Sequence, residues 1–108
     1  MITSRLFLFT LAVLSCVPAQ ARPVIATVYH QYYDGRPAYC GGTYYDHKVS
    51  AAHPWLPCGT QVEVEYKNRT LVVPITDRCE CDSIDLSYKA AKLLGVPVDG
   101  IAKVHIHY

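Results

Sequence analysis

Two side chains in this sequence, Asp77 and His53, are of the kinds that transfer or position protons in enzyme sites. Cleavage of a glycosidic bond needs a proton on the leaving oxygen, and a carboxylic acid at an open groove supplies one. The residues alone leave a structural alternative open for each side chain. Asp77 would then cap a loop and pair with Arg78 or Lys48, and His53 would order the chain before Pro54 through a backbone hydrogen bond.

The beginning of the chain has the layout of a secretory signal. One positive charge at Arg5 precedes an apolar run over residues 6–14, and small residues lead to Ala21. The run is shorter than the roughly 20 residues that a transmembrane helix needs. We expect removal of residues 1–21 and export of a single domain, residues 22–108, to the periplasm or the extracellular space. A competing interpretation is lipid attachment at Cys16.

The cysteine count and the charge restrict the function further. Four cysteines, Cys40, Cys58, Cys79 and Cys81, lie in the exported part, and an even count there favours disulfides over free thiols. The competing zinc site lacks the usual ligand pairs separated by two residues, so we expect no metal and no cofactor. Loss of Arg5 leaves nine of the ten Lys and Arg residues against nine Asp and Glu. This balance offers no basic surface for nucleic acid, and we expect a monomer.

Strands dominate the predicted structure. Period-two alternation or enrichment in β-branched and aromatic residues predicts strands at 24–29, 61–66, 70–76 and 103–108. In the last strand His105 and His107 share the face opposite Val104 and Ile106, which is typical of a solvent-facing edge as well as of a metal pair. The segment 31–45, rich in glycine and tyrosine, has no helical period and predicts a long loop.

One short helix is predicted over residues 87–94. Ser87 is a capping residue at its start, and Gly95 ends it. Asp85, just before the helix, is interpreted as a structural acceptor for backbone amides there.

Five short motifs in a fixed order carry a resemblance that no single motif would support. They are Ser50-Ala51-Ala52-His53, Leu56-Pro57-Cys58-Gly59-Thr60-Gln61-Val62-Glu63-Val64, Ile75-Thr76-Asp77-Arg78, Ile84-Asp85-Leu86-Ser87 and Leu94-Gly95-Val96. The chain resembles, over residues 24–108, the rare lipoprotein A (RlpA) family. Its cysteines are also similar to those of the barwin and expansin relatives.

The resemblance implies an all-β fold, a small six-stranded double-psi β-barrel with one or two short helices. It also implies lytic transglycosylation of peptidoglycan, in which the bond between N-acetylmuramic acid and N-acetylglucosamine is cut by the sugar's own hydroxyl. Asp77 matches the family's catalytic acid and His53 its histidine. The substrate-binding residues expected beside them are Tyr29, Tyr44, Tyr45, Asp46, Trp55 and Arg78. By analogy with barwin relatives, Cys40 pairs with Cys58, and Cys79 and Cys81 pair with each other or stay reduced.

The sequence departs from the RlpA pattern at an acidic position. The family has a glutamate about eleven positions before the histidine, where this chain has Gly42. Asp46 would replace it only if the loop is re-registered. The alternative function is therefore a non-catalytic polysaccharide-binding module of expansin or barwin type, with aromatic side chains stacked on sugars (Tyr29, Tyr32, Tyr33, Tyr44, Tyr45 and Trp55). A third interpretation is a secreted inhibitor of cysteine proteases.

Overall fold

The computed structural model describes residues 21–108, so all of the predicted signal except Ala21 lies outside the described part, as does Cys16. The strands are β1 (Arg22–Val28), β2 (Ala51–Ala52), β3 (Gln61–Tyr66), β4 (Arg69–Asp77), β5 (Ile84–Leu86) and β6 (Ala102–His107). A 3-10 helix covers Gln31–Tyr33, and one α-helix, α1, covers Tyr88–Leu94. No helix within residues 21–108 is long and apolar enough to cross a membrane.

The six strands close into a barrel in the order β1-β5-β2-β4-β3-β6, with β6 paired to β1. The pairs β1–β5 and β2–β4 are parallel, and the other four pairs are antiparallel. A closed barrel leaves no unpaired sheet edge for aggregation. This architecture confirms the predicted six-stranded β-barrel.

The apolar residues that alternate with polar ones in the sequence face the barrel interior, and the polar ones face the exterior. Val62 and Val64 of β3 are fully buried, while the glutamates beside them face solvent. On β6 the buried residues are Val104 and Ile106, and both histidines point outward as predicted. Each buried aliphatic side chain contributes about 1.5–3 kcal/mol relative to an exposed one, so this interior is the main source of stability.

Two strands were absent from the sequence-based prediction because they are too short to show a period. β2 has two residues and β5 has three. Each lies between two partner strands and is held by pairing along both edges. Ala51 and Ala52 are almost completely buried, since only a small side chain fits at this crowded point.

The predicted ends of the helix are confirmed. The Ser87 hydroxyl accepts hydrogen bonds from the amides of Ala90 (3.2 Å) and Ser50 (3.1 Å), so it caps α1 and fixes the entry to β2. Gly95 ends the helix with φ of +84°, a left-handed conformation that favours glycine.

Both cysteine pairs expected from the barwin analogy are disulfides. Cys40 bonds to Cys58 across 18 positions, and Cys79 bonds to Cys81 across two. The Cys40 amide also donates to the Thr76 carbonyl at 3.2 Å. The first bridge therefore fastens the 31–45 loop beside the end of β4.

Replacement of both Cys40 and Cys58 by serine should lower the free energy of unfolding by about 3 kcal/mol, because the bridge closes a loop of this length in the unfolded chain. The matched control replaces Cys79 and Cys81, whose ring is far smaller, and should lose much less. Urea denaturation of the two double variants measures the difference. Equal losses would contradict this assignment of the stabilising bridge.

Candidate active site around Asp77

The carboxylate of Asp77 is fixed at the end of β4 by three hydrogen-bond donors. Oδ1 accepts from the backbone amides of Tyr39 (2.7 Å) and Arg78 (2.9 Å), and Oδ2 accepts from the Tyr29 hydroxyl (2.8 Å). Asp77 is half-buried. An ionised carboxyl offers about four acceptor positions, so one remains for a ligand.

Tyr29 belongs to a stacked aromatic pair beside this carboxylate. Its ring lies parallel to that of Tyr44, with centroids 3.9 Å apart and an interplanar angle of 5°. Burial, together with the hydrogen bond to Asp77, raises the pKa of the Tyr29 hydroxyl far above its usual range. Burial likewise raises the pKa of Tyr44, whose hydroxyl donates to Asp46 Oδ1 at 2.9 Å. Both phenols therefore stay protonated and act as donors to carboxylates.

Asp85 stands in the same cross-strand row as Asp77. Ala52 of β2 is the register partner of Asp77 on one side and of Asp85 on the other. Neighbouring strands lie about 4.8 Å apart, so the two aspartate Cα atoms are separated by roughly 10 Å with a methyl group between them. The Asp85 Oδ1 accepts from the Thr27 hydroxyl at 2.9 Å.

The prediction that Asp85 serves the helix amides is wrong. Its side chain accepts a hydrogen bond from Thr27 on β1, and Ser87 caps the helix. Burial, and then the nearby charge of Asp77, raise the pKa of the Asp85 carboxyl above its ordinary value. A half-buried carboxyl with a raised pKa is a group that can hold a proton near a reacting atom.

An open groove of about 380 Å³ joins the two aspartates. It is lined by Asp77, Asp85, Tyr29, Ala52, Arg78 and the Cys79–Cys81 bridge, with Tyr33 and Glu80 at its edge. A larger cavity of about 550 Å³ lies on the other side of Tyr29, near Tyr88 and Val98. The smaller groove is the better candidate site, because two of its three lining carboxylates, Asp77 and Asp85, lie in one cross-strand row, whereas Asp99 is the single carboxylate lining the larger cavity.

His53 follows β2 and lies beside Asp77 of the neighbouring strand, and its side chain is turned to its own loop. Its amide donates to the Asp77 carbonyl at 3.2 Å, and its Nδ1 accepts from the amides of Trp55 (3.2 Å) and Leu56 (3.0 Å). The ring lines a separate cavity of about 100 Å³ with Trp55. Burial, and then the charge of Arg78, lower the pKa of His53. The imidazole is therefore neutral at pH 7, with its proton on Nε2.

Arg78 connects the groove with the 53–56 segment. Its Nη1 donates to the carbonyls of His53 (3.0 Å) and Leu56 (2.6 Å), and its guanidinium lies 5.0 Å from the centre of the Tyr39 ring. The two N–H groups of one charged nitrogen therefore hold both carbonyls in place. Arg78 thus positions the 53–56 segment and also lines the groove.

The other predicted binding residues are divided among different surfaces. Tyr29 and Arg78 line the groove, whereas Tyr44 and Asp46 lie behind it through the aromatic stack. Trp55 is 63% exposed and packs edge-on against His53. Tyr45 lies beside His47, away from the groove-lining residues.

Gly42, at the position of the family's glutamate, has no side chain that could supply a carboxylate. The backbone of Gly42 has φ of +74°, which favours glycine over a residue with a side chain. Asp46, the proposed substitute, accepts from Tyr44 and does not line the groove.

The closed barrel and its groove define a double-psi β-barrel domain with an acidic site at the end of β4. A family model described as "Lytic transglycolase" matches residues 25–106. The chain belongs to this family of RlpA-like domains, as the ordered motifs predicted.

The relatives differ in length and in the activity that their names give. An uncharacterized protein of Synechocystis, ssl3177, is 40% identical over 83 residues, covering 75% of this chain and 91% of its own. The endolytic peptidoglycan transglycosylase RlpA of Haemophilus influenzae is 37% identical over 87 residues, covering 76% of this chain. The chain spans only 21% to 36% of the RlpA relatives' lengths.

A solved structure is also similar. The Streptomyces papain inhibitor superposes with a TM-score of 0.67 at 30% identity, covering 82% of this chain and 94% of the inhibitor. The same barrel therefore occurs in proteins that are named for different activities.

The buried neutral His53 should make the fold less stable as the pH falls. The unfolded chain binds a proton at this residue near pH 6.5, whereas the folded chain resists protonation, so stability rises with pH through this window and is lost below it. We expect the melting temperature to fall between pH 7.5 and pH 5.5, and to fall less in His53→Gln.

Thermal scans at matched ionic strength measure this difference, and His105→Gln is the control because that ring is exposed on β6. An unchanged pH dependence in His53→Gln would show that His53 is not the responsible group.

Proposed function

We propose that this chain is an exported domain that binds peptidoglycan and cleaves the bond between N-acetylmuramic acid and N-acetylglucosamine by lytic transglycosylation. Asp77 is the carboxylate on which the proton transfers depend. The observation that carries the proposal is the placement of Asp77 in an open groove of a lytic transglycolase-family barrel, with both carboxylate oxygens oriented. The names of the RlpA relatives supply the substrate class.

The chemistry requires little of the protein beyond orientation and proton transfer. The C6 hydroxyl of the muramic acid residue attacks its own C1, so no second carboxylate is needed as a nucleophile. Fixing a carboxylate against the attacking group converts an infrequent encounter into a favourable geometry. The three donors to Asp77 hold its oxygens in place without help from a flexible side chain other than Tyr29.

Residues outside the groove bind the sugar chain or hold the binding residues in position. The exposed Trp55 offers an aromatic face to a sugar, 6.2 Å from the ring of Tyr108. His53 orders the segment that carries Trp55, and Arg78 ties that segment to the end of β4. His53 is thus a positioning residue in this proposal.

A second candidate function is inhibition of a cysteine protease. The similarity to the Streptomyces papain inhibitor, which the chain covers almost completely, favours it. Titration of papain with the domain tests this function. Inhibition that persists in Asp77→Asn would separate it from the groove.

Incubation of the domain with purified sacculi should release muropeptides with 1,6-anhydro ends, detected by mass spectrometry. Asp77→Asn should reduce this product by about 10²-fold or more, because the amide keeps the shape but cannot accept or return a proton. Its melting temperature and its binding to sacculi should stay close to those of the unchanged domain.

Glu65→Gln is the matched control, since it removes a carboxylate from the exposed face of β3 and should release product at the normal rate. Full activity in Asp77→Asn would place the chemistry elsewhere. If the unchanged domain binds sacculi and releases no anhydro product, the domain is a binding module and not an enzyme.

A further inference from the structure

We propose that Asp85 is the proton donor of this site and that Asp77 is the proton acceptor, so that two carboxylates in one cross-strand row share the acid and base roles. This inference rests on the proposed function and assigns a second catalytic residue to it. It differs from the expectation that Asp77 performs both steps.

The first argument is the relative placement of the two side chains. Asp77, Ala52 and Asp85 are register partners on three adjacent strands, and all three line the same groove. Ala52 between them is almost completely buried and ends in a methyl group, so it fills little of the groove between the carboxylates. A glycosidic oxygen and the attacking hydroxyl lie on opposite sides of a sugar's C1, which suits groups on opposite walls of one groove.

The second argument is the difference between their hydrogen-bond partners. Asp77 accepts from three donors, two of which are rigid backbone amides. Asp85 accepts at Oδ1 from the Thr27 hydroxyl, with a weaker contact from that hydroxyl to the Ile84 carbonyl. Burial with few donors favours the protonated form of a carboxyl, and Asp85 is the one of the two with few donors.

The electrostatic surroundings act in the same direction. Burial and the adjacent charge of Asp77 raise the pKa of Asp85, and the Thr27 hydrogen bond opposes them in part. The titratable and charged groups that face Asp85 or line the groove with it come from four places. They are Tyr29 just after β1, Asp77, Arg78 and Glu80 from β4 and the segment after it, Tyr33 from the 3-10 helix, and Tyr44 through the stack. A carboxyl with a raised pKa that shares a groove with a second carboxylate is typical of a general acid.

The proposed step balances. The bond from C1 of muramic acid to O4 of the following N-acetylglucosamine breaks, and O4 takes the proton of the Asp85 carboxyl. The bond from C1 to O6 forms, and the O6 proton passes to the Asp77 carboxylate. The products are a 1,6-anhydro end and a free 4-hydroxyl, and exchange with water in the open groove returns both carboxyl groups to their starting forms.

A comparison of two substrates tests the division of roles. One is natural glycan from sacculi, and the other is a dinitrophenyl glycoside of the disaccharide ending in muramic acid, whose leaving group needs no protonation. Asp85→Asn should lose about 10²-fold or more on the glycan and retain most of the rate on the aryl glycoside. Asp77→Asn should lose activity on both, and Glu65→Gln on neither.

The stability of Asp85→Asn also distinguishes a catalytic role of Asp85 from a structural one. Asparagine keeps the acceptor for Thr27 and has no ionisable proton, so it avoids the cost of ionising a half-buried carboxyl beside Asp77, and Asp85→Asn should be at least as stable as the unchanged domain at pH 7. A structural aspartate would instead lose stability on this replacement.

The outcomes separate the two proposals. Equal losses of Asp85→Asn on both substrates, normal activity on glycan, or an unfolded variant would overturn the role of Asp85 while leaving the transglycosylase intact. Release of no anhydro product by the unchanged domain from either substrate would overturn the proposed function itself, and the role of Asp85 with it.

Discussion

The pairing of β2 along both of its edges is the constraint on which the site depends. This strand has only two residues, yet it bonds to β4 on one side and to β5 on the other. The positions of Asp77 and Asp85 are therefore set by main-chain hydrogen bonds and the strand spacing. Ala52 keeps the strands close and leaves the space between the carboxylates unfilled.

The same constraint creates an electrostatic cost that the surrounding structure offsets. Two acidic groups facing one half-buried groove repel each other when both are ionised. Tyr29 and two backbone amides stabilise the charge on Asp77, and Tyr44 supports Tyr29 from behind. Asp85 receives much less compensation. Such an arrangement is typical of sites in which stability is given up for chemistry.

The sequence predicted the regular parts of this molecule and only part of its site. Period-two alternation located β3 and β6, and capping chemistry located α1, because those signals are local. β2 and β5 are defined by pairing partners far away in the chain, so no local pattern reveals them. The family motif pointed to Asp77. Asp85 was assigned to the helix amides because Ser87, two residues later, indicates the start of a helix. The bond from Tyr29 to Asp77 joins residues 48 positions apart and had no sequence signal.

The division of roles requires that Asp85 keeps its proton more readily than an ordinary aspartate, because it is half-buried and, to a smaller extent, because Asp77 lies beside it. Carbon-13 NMR of the aspartate side-chain carboxyls, followed through a pH titration of the unchanged domain and of Asp77→Asn, tests this claim directly. Asp85 should titrate above the ordinary aspartate range, and its midpoint should move down when Asp77 is neutralised. An Asp85 midpoint in the ordinary range, or one that does not respond to Asp77→Asn, would contradict it.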